Sequence, residues 1–140
     1  RGGGKEIAQI IGGMNSAEEE RYLQTLQNED PDLYEEVKKY HLTFIDIIEQ
    51  FPDGTLRDIM NTVDLSDVSM AMKGVDQEIV DRIIGNLPQK KQAMYEPIEG
   101  AVSKREVDNA RKGIVQAAKQ MEKDGAFNLE DYVGGGEMVE

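Results

Sequence analysis

The side chains of this protein that could carry charge-based or metal-binding chemistry are its carboxylates, its lysines and arginines, and a single histidine. The chain has 28 Asp and Glu, 16 Lys and Arg, His41 and no cysteine. A zinc site needs several nitrogen or sulfur ligands, which this composition does not supply. No nucleophile stands beside a base, and no carboxylates are spaced for acid–base work. We therefore expect no catalytic residue, no metal and no cofactor, and we predict that the protein is not an enzyme.

Two stretches share residue types with ligand-binding loops but not their spacing. Asp64, Asp67 and Asp76 lack the central Gly and the terminal Glu of a calcium loop. The run Gly2-Gly3-Gly4-Lys5 lacks the spacing of a phosphate loop and follows no predicted strand. Acidic pairs such as Glu35-Glu36 are expected on solvated helix faces. Function should therefore come from surfaces that contact other macromolecules.

The net charge of −12 limits which macromolecules these are. Nucleic acid requires a basic footprint on the protein, and anionic lipid attracts basic segments. No apolar run approaches the roughly 18–20 residues that cross a bilayer, and no secretory signal is visible. We expect no nucleic acid, no direct membrane insertion and, without cysteine, a reducing cytoplasm. Because the chain begins with Arg1, we expect it to be a fragment of a longer protein.

The apolar residues recur at helical spacing and no alternating strand pattern occurs, which predicts an all-α fold. Ser16 with Glu19 predicts a capping box for a second helix. Asp30 before Pro31 predicts the start of a third helix. The first three helices would form a small armadillo-like bundle that needs a neighbour to cover its apolar surface. Before them, the first helix is predicted to carry one buried stripe at Ile7, Ile10, Ile11 and Met14.

The rest of the chain predicts a second domain of several helices. Pro88 is expected to end or restart a helix. Ser103 and Glu106 predict another capping box, which opens a long helix ending near Gly125. The first apolar face of this domain is predicted at Phe44, Ile45, Ile48 and Phe51. The long helix carries a seam for packing along another helix at Val107, Ala110, Ile114, Ala117 and Met121.

Short motifs between Phe44 and Gly125 follow one another in an order and spacing that resembles a known family. They are Phe44-Ile45-Asp46-Ile47-Ile48, Asp64-Leu65-Ser66-Asp67-Val68, Ala71-Met72-Lys73-Gly74-Val75, Asn86-Leu87, Gly100-Ala101-Val102, Val107-Asp108 and Gly125, with Glu29-Asp30-Pro31 upstream. The chain is similar to the C-terminal region of the FliG family of flagellar motor switch proteins. The resemblance implies an armadillo-like bundle over residues 1–40, a hinge over 41–44, a torque-type C-terminal domain over 45–127 and a flexible tail over 128–140.

The hinge that the resemblance implies comprises His41, Leu42, Thr43 and Phe44. The family carries Met-Phe-x-Phe at this position, and only Phe44 matches it. From the residues alone, His41 is expected to be an exposed loop residue without a special role. The resemblance also makes the stripe of Ile7, Ile10, Ile11 and Met14 a stacking face for a neighbouring domain or molecule.

In the family, this region lies in a ring of copies beneath the cytoplasmic membrane. The resemblance therefore implies contacts with other copies in the ring, with the switch protein FliM and with the stator protein MotA. It places the protein at the cytoplasmic face of the bacterial inner membrane, in the flagellar basal body. The candidate stator-facing charges are Lys73, Lys90, Glu96 and Glu99.

These charges match the family unevenly. Lys73 corresponds to the family's Leu-Lys-Gly lysine, and it also fits a cation at a helix C-terminus capped by Gly74. Lys90 stands where the family has an arginine. Glu96 and Glu99 replace the family's acidic pair only weakly, and a further family arginine is absent.

Two functions therefore stay open. The first is a rotor and switch component of the flagellar motor that transmits torque and switching through protein–protein contacts. The alternative is a structural or assembly adapter of the basal body that has lost most of its torque-generating charges. The apolar faces, which stabilise the fold by about 1.5–3 kcal/mol per large buried side chain, are kept. The charged surface residues, whose exposed ion pairs contribute about 0.2–1 kcal/mol each, depart from the family's pattern. Pro97 also predicts that no long helix continues past Glu96.

Overall fold

The computed structural model describes residues 3–128 and 131–132, and those residues contain α-helices and no strand. The all-α prediction is therefore confirmed. The tail predicted over 128–140 lies outside the described residues, apart from residues 128, 131 and 132. The helices are α1 Gly4–Gly12, α2 Ser16–Glu29, α3 Pro31–Lys38, α4 Phe44–Gln50, α5 Asp53–Thr62, α6 Leu65–Ala71, α7 Gln77–Gly85, α8 Gln89–Met94 and α9 Lys104–Lys123. None of these helices has the length and apolarity needed to cross a bilayer.

The chain divides into two compact units, here called the N-unit and the C-unit. Among the described residues, the N-unit comprises those up to Leu42 together with residues 131 and 132, and the C-unit spans Thr43–Asn128. The boundary between the two units falls inside the segment 41–44, which the family resemblance predicts to be a hinge. Whether this segment bends stays a prediction.

Local capping signals set the helix starts of the N-unit. Asp30 accepts a hydrogen bond from the Leu33 N–H at 3.2 Å, with Pro31 as the first helical residue, as predicted. The predicted Ser16–Glu19 box is wrong, because Asn15 caps α2 by accepting from the Glu18 N–H at 2.9 Å. Asn and Ser are comparable N-caps, so the choice between adjacent candidates depends on where the preceding turn ends.

The N-unit has a small core, and α1 contributes one narrow face to it. Gly4, Ala8 and Ile11 are buried at spacings of four and three residues. Ile10 is 64% exposed, so the single buried stripe predicted for α1 is wrong at this position. Successive helical residues point about 100° apart, which turns Ile10 away when Ile11 faces inward. Met14 lies beyond the end of α1 and is half-buried. Around buried Ala8, Ile11 and Val37 pack the partly buried Ile7, Leu23, Leu26, Leu33 and Tyr40.

Gly4 allows α1 to lie very close to α3. A Cβ atom at this position would overlap the side chain of Glu36 and come close to its backbone. Only glycine removes that atom, so this residue permits the close helix pairing.

The C-unit is organised around α9, which packs against α4, α5 and α6. Its buried residues are Val107, Ala110, Ile114, Val115 and Ala118. The predicted seam is thus correct at its first three positions, whereas Ala117 and Met121 are only half-buried. A helix that contacts several neighbours buries a wider face than a two-helix seam, which explains why Val115 and Ala118 were missed.

Helix α4 opens with a capping box that the sequence reading did not identify. The Thr43 hydroxyl accepts from the Asp46 N–H at 3.1 Å, and the Asp46 carboxylate accepts from the Thr43 N–H at 3.0 Å. Phe44, Ile47, Ile48 and Phe51 are buried at helical spacing. Ile45 is 44% exposed, so the predicted apolar face is wrong there and Ile47 takes its place.

Proline sets the helix boundaries in the second half of the C-unit. Helix α7 ends at Gly85 and α8 begins directly after Pro88. Helix α8 ends at Met94, and residues 95–103 are not helical, as Pro97 predicted. Ser103 then caps α9 by accepting from the Glu106 N–H at 3.1 Å, which is one half of the predicted capping box.

Candidate functional site

The charges predicted to face a partner lie in two structural settings. Lys90 is exposed on α8, and Glu96 and Glu99 are exposed in the non-helical segment 95–103. None of these three side chains forms a hydrogen bond or an ion pair within the described part of the chain. They are charges exposed to solvent. We call Lys90, Glu96 and Glu99 the open charges.

Lys73 does not belong to this group. It lies just past the end of α6 and is half-buried, and its ammonium donates a hydrogen bond to the Ile98 carbonyl at 2.7 Å. Gly74 follows with φ of 79°, which is the left-handed conformation expected for a residue that ends a helix. The structure therefore places one of the four predicted partner-facing charges in an intramolecular contact.

Arg111 on α9 joins three parts of the C-unit and was missed by sequence reasoning. Its Nε donates to the Ala71 carbonyl at 3.0 Å and its Nη2 to the Lys73 carbonyl at 2.8 Å. Its guanidinium lies 5.0 Å from the centre of the Phe44 ring. A cation satisfies the free carbonyls at a helix end and is attracted by an aromatic face.

The environment of Arg111 opposes its charge. Burial lowers the pKa of the Arg111 guanidinium below its usual value, and the nearby Asp108 carboxylate acts in the opposite direction. One sequence signal could have identified this residue. Arg111 stands four residues from both Val107 and Val115, which places it at the edge of the buried face of α9.

Arg82 holds the C-terminal end of α4 in the same way. Its Nη1 and Nη2 donate to the carbonyls of Ile48 at 2.9 Å and Phe51 at 2.6 Å. Its Nε donates to the Asp53 carboxylate at 2.9 Å. Arginine suits this position because its planar fork can serve several acceptors at once. This contact links α4, α7 and the start of α5.

The side chain of Lys91 is hydrogen-bonded to backbone carbonyls of the C-unit, in contrast to that of its neighbour Lys90. The Lys91 ammonium donates to the Val63 carbonyl at 2.7 Å and lies 3.4 Å from the carbonyls of Met60 and Asn61. These are the last carbonyls of α5, which need donors from outside the helix. Two adjacent lysines of identical chemistry therefore have different roles.

This difference predicts unequal effects of the same charge reversal. Lys91→Glu should lower the free energy of unfolding by about 1–3 kcal/mol, because it removes a charged donor from helix-end carbonyls. Lys90→Glu should change the free energy of unfolding by less than about 0.5 kcal/mol, since the side chain is exposed and has no bonding partner among the described residues. Urea unfolding followed by circular dichroism measures both. Equal losses in the two variants would contradict the assignment.

Each half of the predicted hinge is held within its own unit, His41 and Leu42 in the N-unit and Thr43 and Phe44 in the C-unit. His41 is 7% exposed, and its Nε2 lies 2.9 Å from the Glu19 carboxylate on α2. The expectation of an exposed histidine is therefore wrong, because a residue 22 positions earlier reaches it. Its Nδ1 is buried without a partner among the described residues. Thr43 and Phe44 are bound into the start of α4, and Leu42 is buried.

Comparison with known proteins relates this arrangement to one family. The family model described as FliG C-terminal domain matches residues 24–129. Flagellar motor switch proteins FliG of Thermotoga maritima and Bacillus subtilis are each 26% identical to this chain, over 97% and 99% of its length. The chain spans 41% of each of these relatives.

A solved structure shows the same fold. A crystal structure of a FliG fragment from H. pylori is similar with a TM-score of 0.65 at 23% sequence identity, covering 89% of this chain and 60% of that one. At this level of identity the likeness concerns the fold, and it agrees with the all-α architecture described above.

Proposed function

Because this chain belongs to the FliG C-terminal domain family, we propose that it is a rotor and switch component of the bacterial flagellar motor. It acts through protein–protein contacts rather than through catalysis. The observation that carries the proposal is the separation of charges in the C-unit. Lys73, Arg82, Lys91 and Arg111 are bound to backbone carbonyls. Within the part of the chain that the structure describes, the side chains of Lys90, Glu96 and Glu99 are exposed and have no hydrogen-bond or ion-pair partner.

Open charges suit a contact that must be made and broken repeatedly. Each exposed ion pair contributes only about 0.2–1 kcal/mol, so a partner can be guided and then released. Such contacts also act at a distance of about a Debye length and weaken as salt is added. We propose that the open charges face the stator protein MotA, at the cytoplasmic face of the inner membrane.

The N-unit has a second surface that fits a protein partner. Ile10 is 64% exposed on α1, beside half-buried Ile7. An exposed large aliphatic side chain next to a small core suggests a face that a neighbour completes. We propose that this face stacks on another part of the rotor ring, built of further copies of the protein, and that FliM acts on the same assembly.

Charge reversal at Lys90 tests the proposed function. We expect Lys90→Glu, introduced in the full protein in its own bacterium, to leave filaments assembled but to reduce swimming strongly, because attraction to a partner's carboxylates becomes repulsion. Filament number and the diameter of the swimming zone in soft agar measure the two effects. Lys123→Glu is the matched control, since Lys123 is an exposed lysine in the last turn of α9.

Three outcomes separate the possibilities. Paralysed cells with normal filaments support a role in torque. Normal swimming of Lys90→Glu would remove the open charges from the mechanism. Loss of filaments, with the variant protein folded, would contradict the torque role and favour an assembly adapter of the basal body.

A further inference from the structure

The segment 95–103 carries two of the open charges but has almost no backbone support of its own. It joins α8 to α9, contains Pro97, and turns at Gly100 with φ of 80°. Among the described residues, no backbone group from 96 to 102 has a hydrogen-bond partner except the Ile98 carbonyl. The partner of that carbonyl is the Lys73 ammonium, at 2.7 Å.

Apolar packing orients the segment only in part. Tyr95, Ile98 and Val102 are half-buried, whereas Glu96 and Glu99 between them are exposed. Burial raises the pKa of the Tyr95 phenol above its usual value, which agrees with its contact with the protein. Half-buried side chains without backbone hydrogen bonds leave a loop free to shift, so the Lys73 contact is the directional restraint.

Lys73 is itself held in a fixed place. The Arg111 guanidinium donates to the carbonyls of Ala71 and Lys73. Gly74 then turns the chain away in the left-handed conformation. The Lys73 side chain therefore extends from a backbone that α9 holds, and it can transmit that rigidity to the Ile98 carbonyl.

We propose that Lys73 is a positioning residue for the partner-facing surface: it acts by holding the segment that carries Glu96 and Glu99, and not by its own contact with a partner. The inference rests on the proposed function, because it assigns the open charges to a protein partner. It explains why Lys73 is half-buried and bonded to the Ile98 carbonyl, while the side chain of Lys90 is exposed and has no bonding partner among the described residues.

The positioning can be measured without any partner. The chain has no cysteine, so Ala101→Cys provides one attachment site for a nitroxide spin label in the exposed part of the segment. We expect Lys73→Met to abolish the slow-motion component of the label's spectrum, and Lys73→Arg to keep it, because the guanidinium can still donate to the carbonyl. Lys90→Met is the matched control and should leave the spectrum unchanged. An unaltered spectrum in Lys73→Met would overturn the proposal.

Swimming assays then separate positioning from direct contact. If Lys73 acts through the segment, Lys73→Met should reduce swimming in the natural background and have no further effect once Glu96→Gln and Glu99→Gln are present. Lys73→Arg should restore swimming. Additive losses would overturn the proposal, since they indicate that Lys73 contacts the partner itself.

A failure of the proposed function looks different from a failure of the positioning. A mobile label in Lys73→Met, combined with normal swimming of every charge variant, would support the positioning role of Lys73. It would also show that the segment 95–103 takes no part in torque. A rigid label in Lys73→Met, combined with impaired swimming, would refute the positioning role of Lys73 and would leave the proposed function intact.

Discussion

Replacing Ile11 with alanine should unfold the N-unit at temperatures where the C-unit stays intact. Ile11 is fully buried among Ala8 and Val37 in a core with few members. Removing buried methyl and methylene groups from such a site costs about 2–5 kcal/mol, because the transfer term and the cavity term add. A unit of this size has little stability to lose. Hydrogen exchange of the amides in α1, α2 and α3, measured in the full chain, would report the loss.

The adjacent isoleucine is the control for this experiment. Ile10 is 64% exposed, so Ile10→Ala should change the free energy of unfolding by less than about 0.5 kcal/mol. The same variant should weaken stacking in an assembled rotor if the proposed face is used. Comparable exchange rates in the two variants would show that α1 does not present the faces described here.

Replacing Arg111 with methionine should lower the free energy of unfolding of the C-unit by about 2–3 kcal/mol, since a charged donor to two helix-end carbonyls is lost. The carbonyls of Ala71 and Lys73 would lose this donor. The contact with the Phe44 ring adds a smaller term of about 0.5–1 kcal/mol. Release of a partly desolvated charge offsets part of the loss, in line with the lowered pKa of Arg111.

Arg111→Lys separates the charge from the geometry of the guanidinium. Lysine keeps the positive charge but has no planar fork, so it cannot reproduce both bonds and the ring contact together. We expect it to recover less than half of the lost stability in urea unfolding. Full recovery would mean that the charge alone supports the end of α6, and an unchanged stability in Arg111→Met would refute the proposed role.

Local signals in the sequence were sufficient for much of the architecture. The start of α3 at Asp30-Pro31, the restart of a helix after Pro88 and the left-handed turn at Gly74 were all predicted and are all present. Each depends on the conformational preference of one or two residues. The family resemblance, drawn from many short motifs, is confirmed by the match over residues 24–129.

Two of the errors concern which isoleucines of a short helix face inward. Ile10 rather than Ile11 is exposed on α1, and Ile45 rather than Ile47 is exposed on α4. Helical periodicity defines an apolar sector, but its exact direction depends on which helices pack against it. A short helix with several isoleucines therefore allows more than one orientation until its neighbours are known.

Composition and periodicity predicted an acidic all-α chain, which the described residues confirm, and the motifs identified its family. The tertiary structure decided which charges are available to a partner. Lys90 and Lys91 are adjacent in sequence, yet only Lys91 reaches the end of α5, and Lys73 reaches Ile98, 25 residues away. Whether a lysine is bonded within the fold or exposed depends on which carbonyls other parts of the chain bring within its reach, and that is a property of the packed molecule.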